Sequence, residues 1–375
     1  MSDQEFIPPA RPVIGEDEIA AAVRVLRSGM VVQGPEVAAF EEEFGRLVDD
    51  VHCVAVNSGT SALHLSLIAI GIKPGDEVIV PSFSFAATAN AVRLAGAEPV
   101  FVDIEPDHFT LDPAAVEAAV GPRTAAIMPV HLYGHPADMT ALGAIAERHG
   151  LAVVEDAAQA HAATWQGTAV GAFGTTGCFS FYPTKNMHSL EGGMITTGDA
   201  AVARNLRLLR NQGMEQRYAN EVVGANMRLT DVAAAIGRVQ LAKLDGWTEQ
   251  RRANAAALSA GLKTVTPPPE AEGARHVYHQ YTVRAGDGVD RDVLVDTLKQ
   301  QGVGSAVYYP TPIHLLKPYL PGYADLAGQQ PPNREWDLPE TARAAAEVLS
   351  LPVHPGLTET DLGRIIDTVN AAAAG

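Results

Sequence analysis

Apolar positions along this chain follow two alternating periods. Residues 16–27 (EDEIAAAVRVLR) place Ile19, Val23 and Leu26 at helical spacing, the stripe of an amphipathic helix that Gly29, Gly34 and Pro35 then break. A second helix is predicted from Glu36 to about Val48. Short apolar runs then alternate with longer amphipathic ones. HCVAVN reads as a buried strand, SALHLSLIAIG as a helix closed by Gly71, and DEVIVPS as a strand stopped by Pro81. FAATANAVRLAG, EPVFVDI, DPAAVEAAV, TAAIMPV and DMTALGAIAERHG continue as helix, strand, helix, strand and helix. Asp138 caps the last of these and Gly150 ends it, before LAVVED supplies a further strand. Strand–helix–strand order with short connections predicts an α/β fold with a parallel or mostly parallel sheet, covered by helices on both faces.

After the segment CFSFYPTKNMHSLEGGMITT the pattern changes. DAAVARNLRLLRNQG reads as helix, and LTDVAAAIGRVQLAKLDGWTEQRRANAAALSAGL as a helix long enough to bridge two domains. The expected division is a large domain over 1–248 and a smaller C-terminal one over 249–375. Within the latter, TVTPPPEAEGAR is a proline-rich connector, HQYTVRA a strand, and RDVLVDTLKQQG a helix ending at Gly302. SAVYYPTPIHLLKPYLP is expected to be strand and loop, LAGQQPPNREWDLPE an exposed loop, and TDLGRIIDTVNAA an amphipathic closing helix.

Composition narrows the function. With 375 residues, 47% hydrophobic and 19% charged, the chain is long enough for two domains. A net charge of -17, from 27 basic against 44 acidic residues, argues against a nucleic-acid partner, which needs a concentrated basic surface. No apolar run approaches the roughly 20 residues that span a bilayer, and MSDQEFIPPARPVIG lacks the basic start and apolar core of a signal peptide. A cytoplasmic protein is expected. Cys53 and Cys178 have no metal-ligand spacing, and the 12 histidines are scattered, His131 and His135 flanking a Tyr-Gly turn; no metal site is expected.

Four features fall at the carboxyl ends of successive strands, where open α/β sheets place their sites. Asn57-Ser58-Gly59-Thr60-Ser61 joins a strand to a helix, and its glycine, hydroxyls and free N–H groups suit a phosphate, though SGTS is equally an ordinary helix cap. Asp156 ends a hydrophobic strand, a costly place for a carboxylate unless it faces a cation or caps a helix. Phe85 in PSFSFAAT can stack on a flat ring or pack in the core. Lys185 lies in the turn after Ser180, either a reactive amine or a solvated charge. Phosphate cup, buried carboxylate, flat aromatic and lysine together match pyridoxal phosphate, which has a phosphate, a pyridinium nitrogen, a π face and an aldehyde.

The stretches NSGTSALHLSL, PSFSFAATANAV, PVHLYG, VVEDAAQAH, FSFYPTKN followed by EGGMITT, LRNQGM, VVGANMRLTDVAAAIGRVQL, HVYHQYTVR, YYPTPIH and LSLPVHP resemble the DegT/DnrJ/EryC1/StrS sugar aminotransferases. That resemblance runs from about residue 8 to the C-terminus. It implies the aspartate-aminotransferase-like fold (fold type I of pyridoxal-phosphate enzymes) and a homodimer with shared active sites. It implies Lys185 as the lysine that condenses with the cofactor and moves the proton, Asp156 on the pyridine nitrogen, Gln159 by the ring hydroxyl and Phe85 on the ring. Gly59, Thr60, Ser61 and Ser180 would hold the phosphate, with Asn226 from the other subunit. Tyr182, Arg228, Tyr309 and His314 fall at substrate-side positions; Arg228 equally suits a structural salt bridge, and Tyr309 core packing. KNMHSLEGG departs from the family's usual pattern, so His188 either enters the active-site mouth or lies in a surface turn.

The implied activity is a transaminase that takes an amine from L-glutamate and gives it to a nucleotide-linked keto-sugar. The EGGM form favours C4 amination of a 4-keto-6-deoxyhexose over C3 amination. A sugar dehydratase or lyase on the same fold, or a non-catalytic regulatory homologue, are the alternatives.

Overall fold

A computed structural model describes residues 5–286, 288–324, 330–331 and 334–372. Its centre is a seven-stranded sheet built from β1 (His52–Val56), β2 (Glu77–Pro81), β3 (Glu98–Val102), β4 (Thr124–Ile127) and β5 (Ala152–Asp156). After a small hairpin, β6 (Thr164–Trp165) and β7 (Thr168–Ala169), the sheet is completed by β8 (Thr176–Ser180) and β9 (Gly193–Thr197). The strand order is β1-β9-β8-β5-β4-β2-β3. Pairings among β2, β3, β4, β5 and β8 are parallel, whereas β9 runs antiparallel between β8 and β1. The mostly parallel expectation therefore holds, and the one reversed strand has a direct cause. The connection from β8 to β9 is the lysine turn itself, which returns the chain beside the strand it left.

Apolar residues on both faces of each strand explain why the runs read as continuously hydrophobic. Val54 and Val56 enter one core, Cys53 and Ala55 the other. Covering helices are α1 (Glu16–Ser28), α2 (Pro35–Leu47), α3 (Gly59–Ala69), α4 (Ala87–Leu94), α5 (Pro113–Ala119), α6 (Met139–His149) and α7 (Ala200–Arg210). The Asp138 side chain accepts a hydrogen bond from a first-turn N–H of α6, as expected, and Asp112 and Asp199 do the same for α5 and α7. Past the hairpin β10 (Met214–Gln216) and β11 (Ala219–Asn220), α8 (Asp231–Gly261) extends for 31 residues, capped by Thr230.

Beyond α8, β12 (Val265–Thr266) pairs with β14 (Tyr281–Ala285), while β13 (Ala274–Arg275) returns to pair with β6. The strand β15 (Val348–Leu351) completes a three-stranded antiparallel sheet, packed with α9 (Arg291–Gln300) and α11 (Glu359–Ala372). Its core takes in Leu258 from α8 and Ile7 from the N-terminal segment. No described helix is long and apolar enough to cross a membrane.

The first helix forms where the spacing predicts it, with the stripe turned outward: Leu26 is 60% and Ile19 48% exposed, while Ala21 and Val25 pack against Ala235 of α8. Two other expectations need correction. Residues 305–321 form no strand beyond an isolated bridge from Ala306 to Ser350. Pro310, Pro312, Pro318 and Pro321 remove backbone donors, and short 3-10 turns over Ile313–Leu315 and Lys317–Tyr319 take their place. The segment expected as an exposed loop over 326–340 is partly outside the described residues, but Trp336 packs edge-on against Phe101 at 5.3 Å, Leu338 is buried, and α10 (Pro339–Glu347) begins there.

Candidate active site

The lysine turn, residues 181–192, is pinned at several points. Phe181 N–H donates to the Gly192 carbonyl, Ser189 N–H to the Phe181 carbonyl, and Lys185 N–H to the Tyr182 carbonyl. Asn186 ties it to the 276–280 segment, its Nδ2 donating to the Val277 carbonyl at 3.1 Å. Gly192 and Gly193 are there because nothing larger fits. A Cβ on Gly193 would lie 2.4 Å from the Ser58 carbonyl oxygen, and one on Gly192, at φ +154°, would lie 2.6 Å from Ser189 Oγ. The EGG segment thus passes directly under the Asn57–Ser61 turn. At the crest, burial lowers the Lys185 ammonium from its ordinary 10.5 to about 8, with the Asp156 carboxylate pulling the other way.

Asp156, at the end of β5, is only 5% exposed. Its Oδ2 accepts from Thr88 Oγ1 at 2.8 Å and its Oδ1 from the Ala158 N–H at 3.2 Å. Burial pushes the carboxyl up; the Thr88 hydroxyl, the Ala158 N–H and the Lys185 ammonium oppose it. A buried carboxylate served by one hydroxyl and one N–H is under-compensated, and a protonated ring nitrogen is the kind of group that would complete it. Gln159 accepts from the Tyr133 N–H at 2.7 Å and donates to Tyr309 Oη at 3.0 Å. The Tyr309 ring lies 6.0 Å from that of Phe85, which is 58% exposed and so is not a core residue. Asp156, Gln159, Tyr309, Phe85 and Lys185 are thereby drawn into one neighbourhood, with the Asp156 charge felt at both Lys185 and Tyr309.

The turn at the start of α3 is both a cap and a cup. Ser58 Oγ accepts from the Ser61 N–H at 3.1 Å, the capping reading, and Ser61 Oγ donates to Asn57 Oδ1 at 2.7 Å. Thr60 follows Gly59 in the first turn of the same helix. Gly59 and Ser180 come together so closely that a Cβ on the glycine would stand 2.8 Å from that of Ser180. Fit to pyridoxal phosphate is thus supported from two sides, a glycine-lined helix N-terminus for the phosphate and a carboxylate for the ring nitrogen.

Asn226 is exposed and bridges to Asn211, while Arg228 bridges to Val56 and donates to Asn211 Oδ1 at 3.1 Å. The segment therefore runs along the end of β1, within the same chain. The neutral partner Asn211, rather than a carboxylate, takes the Arg228 hydrogen bond. Tyr182 is 49% exposed at the rim. His314 has its Nδ1 2.6 Å from Ser82 Oγ and its ring against Phe101.

His188 corrects the surface-turn expectation. The ring is buried, as are Met187 and Ser189, and it lines a cavity that Lys185 also lines. The turn folds its middle inward, and Leu190, at φ +70°, is the part that emerges. His131 and His135 are structural. The first contacts Glu155, whose oxygens also accept from the Gly171, Phe173 and Gly174 N–H groups, and the second stacks on His108 at 4.4 Å. Sequence reasoning missed Thr88, although it lies within the quoted PSFSFAAT stretch; the one signal was a threonine three residues beyond Phe85.

A family model for the DegT/DnrJ/EryC1/StrS aminotransferase family matches residues 12–370. A dTDP-3-amino-3,4,6-trideoxy-alpha-D-glucose transaminase of Streptomyces venezuelae is 47% identical over 354 residues, covering 93% of this chain and 90% of its own. The erythromycin biosynthesis sensory transduction protein EryC1 of Saccharopolyspora erythraea is 48% identical over 357 residues, 94% of each chain. Among solved structures, S. venezuelae DesV in complex with a ketimine intermediate matches with a TM-score of 0.88 at 45% identity, over 96% of this chain and 94% of that one.

Proposed function

The chain belongs to the DegT/DnrJ/EryC1/StrS aminotransferase family, and on that premise we propose that it transfers an amino group from L-glutamate to a nucleotide-linked keto-sugar, with pyridoxal 5'-phosphate held between Lys185 and Asp156. The observation that carries this reading is the pairing of a buried, under-compensated Asp156 with a lysine whose ammonium is lowered to about 8, beside a glycine-lined helix N-terminus. When bound, the cofactor supplies the aldehyde that accepts the amine and a ring that draws electrons from the substrate carbon.

The remaining work falls to side chains. At pH 7 an amine with a value of about 8 is about one-tenth neutral, against about 0.03% for an ordinary lysine. Lys185 Nζ therefore has the free pair needed to take a proton from the substrate carbon and return it to the opposite one. With the cofactor bound, Asp156 would keep the ring nitrogen protonated and Phe85 would cover the ring face, while Thr88 holds Asp156 in place. The Asn57–Ser61 turn with Ser180 takes the phosphate. Tyr182, Arg228, Tyr309 and His314 are assigned to the substrate side, of which His314 has the least direct support.

Two positions on the sugar compete. EGGM favours C4, but Gly192 and Gly193 have a steric cause in this fold, which weakens that motif as a guide to the sugar. The S. venezuelae transaminase carries the 3-position in its name, which favours C3. A homodimer is supported by the unpartnered apolar positions Ile19, Val23, Leu26 and Met30 on and after α1, and by the exposure of Asn226. We place the boundary between large and small domains at residue 248, within α8. A regulatory role is the second reading, suggested by the name of the S. erythraea relative. Incubating the protein with cofactor, L-glutamate and nucleotide-linked 3-keto and 4-keto hexoses decides among these. Formation of 2-oxoglutarate with one amino-sugar supports the proposal and fixes the position. A coloured protein that makes neither product refutes amino transfer, and loss of water from the sugar without 2-oxoglutarate marks a dehydratase.

A further inference from the structure

The lysine turn also borders a cavity lined by Arg11 and Val13 of the N-terminal segment, by Lys185, Asn186 and His188 of the turn itself, and by Trp247 and Arg251 of α8. Arg251 is buried; its Nη1 donates to the Tyr278 carbonyl at 3.3 Å and its Nε has no partner. A guanidinium in that position is costly without an anion, and burial lowers it to about 10. His188 Nδ1 accepts from the Leu190 N–H at 3.4 Å, which leaves the ring proton on Nε2, itself buried. The acceptor that this N–H faces is the Val13 carbonyl, at too poor a geometry for a full hydrogen bond, and that carbonyl also accepts from Gln240 Nε2 at 2.8 Å.

Negative charge is missing from this cavity. No carboxylate among the described residues lines it, although the chain as a whole carries a net charge of -17. Glu18 is the carboxylate whose charge reaches His188, and its oxygens are committed to the Gly15 N–H, Gln240 Nε2 and Lys243 Nζ. Arg11 and Arg251 lie near enough together for both charges to be felt at His354, whose ring is turned to the Pro8 carbonyl. Two guanidiniums and an imidazole N–H thus border a space that no carboxylate among the described residues lines.

We propose that this cavity is an anion site separate from the phosphate cup of α3, in which a small oxyanion sits between Arg11 and Arg251 and accepts the His188 Nε2–H bond. Its occupant ties the N-terminal segment to the lysine turn and α8, so it stabilises the base on which Lys185 stands. Both phosphate-class and carboxylate anions have the required oxygens. The inference does not depend on which amine acceptor the enzyme uses.

Thermal unfolding of the cofactor-saturated protein tests it, since the cofactor then fills the cup. Inorganic phosphate and, separately, glutarate are titrated against sodium chloride at constant ionic strength, in the natural protein and in Arg11→Gln and Arg251→Met. A saturable rise in Tm is expected with at least one anion, identifying the class. Arg11→Gln, at an exposed position and so expected to fold, should weaken the apparent affinity about tenfold or more, as loss of a charge-assisted hydrogen bond does. A crystal soaked in selenate should show anomalous density between Arg11, Arg251 and His188. No response beyond chloride, or an equal response in Arg11→Gln, overturns the proposal.

Discussion

Replacing Thr88 with valine exchanges a hydroxyl for a methyl group at a fully buried position, so shape is nearly kept while Asp156 loses its 2.8 Å hydrogen bond. A hydrogen bond to a charged group contributes about 1.5–3 kcal/mol net. The carboxyl, already raised by burial, should rise further when that hydrogen bond to its ionised form is lost. The loss falls mainly on the ionised state that a protonated ring nitrogen requires. Cofactor affinity of the stripped protein should therefore drop about tenfold or more near neutral pH. That deficit should narrow as pH rises, because the cofactor-free variant then ionises as well. In the cofactor-free protein the sign is that of a raised acid: Asp156 is least costly below its unfolded value, and stability is lost as pH rises through the folded one. Valine moves that loss to higher pH. Fluorescence titration with pyridoxal phosphate from about pH 6 to about pH 9 measures the effect, and Thr88→Ser, which keeps the hydroxyl, should restore most of it. Equal affinities for the natural protein and Thr88→Val at every pH would refute the assignment of Thr88 to Asp156.

Lys185→Ala should reduce single-turnover amine transfer by about 10²–10⁴-fold or more while cofactor is still retained; near-normal turnover would remove Lys185 from the chemistry. Labelling of the stripped protein by an amine reagent should reveal Lys185 titrating near about 8, and Asp156→Asn should move it lower, since the carboxylate holds the ammonium up. A midpoint near 10.5 in the natural protein contradicts the burial argument. Gly193→Ala should lower stability by about 1–3 kcal/mol or more, read by denaturant unfolding, because its Cβ meets the Ser58 carbonyl, whereas Gly198→Ala meets nothing within 4 Å and serves as the control. Leu26→Asp should shift sedimentation from dimer to monomer, and a dimer unmoved by the charge would place the interface elsewhere.

What was legible in the sequence was what local chemistry determines. Asp138 caps its helix because its side chain reaches a backbone N–H only three residues on, and buried strands announce themselves as short apolar runs. That Lys185 and Asp156 lie near strand ends was legible from the same runs, and the roles proposed for them come from the resemblance. Illegible features depend on partners distant in the chain. Nothing around Thr88 marks it apart from any threonine in a helix, since its role comes from Asp156 across the sheet. The α1 stripe was legible only as a stripe, because sequence periodicity reports an apolar face without saying what covers it.

The lysine turn shows how those two kinds of information combine. Its small residues at 192 and 193 are local in sequence, yet their reason is the Ser58 backbone, so the cup at α3 and the base of the turn are packed as one unit. Phe181, Lys185 and Ser189 are each held by backbone hydrogen bonds within the turn, and Asn186 is held by Val277. A side chain on such a base has few ways to move except through its own torsions. On the proposed reading, Lys185 Nζ reaches its proton-donor and proton-acceptor positions through those torsions while the backbone beneath it stays in place. Burying Met187, His188 and Ser189 is then the means by which the turn is made stiff enough to carry one mobile amine.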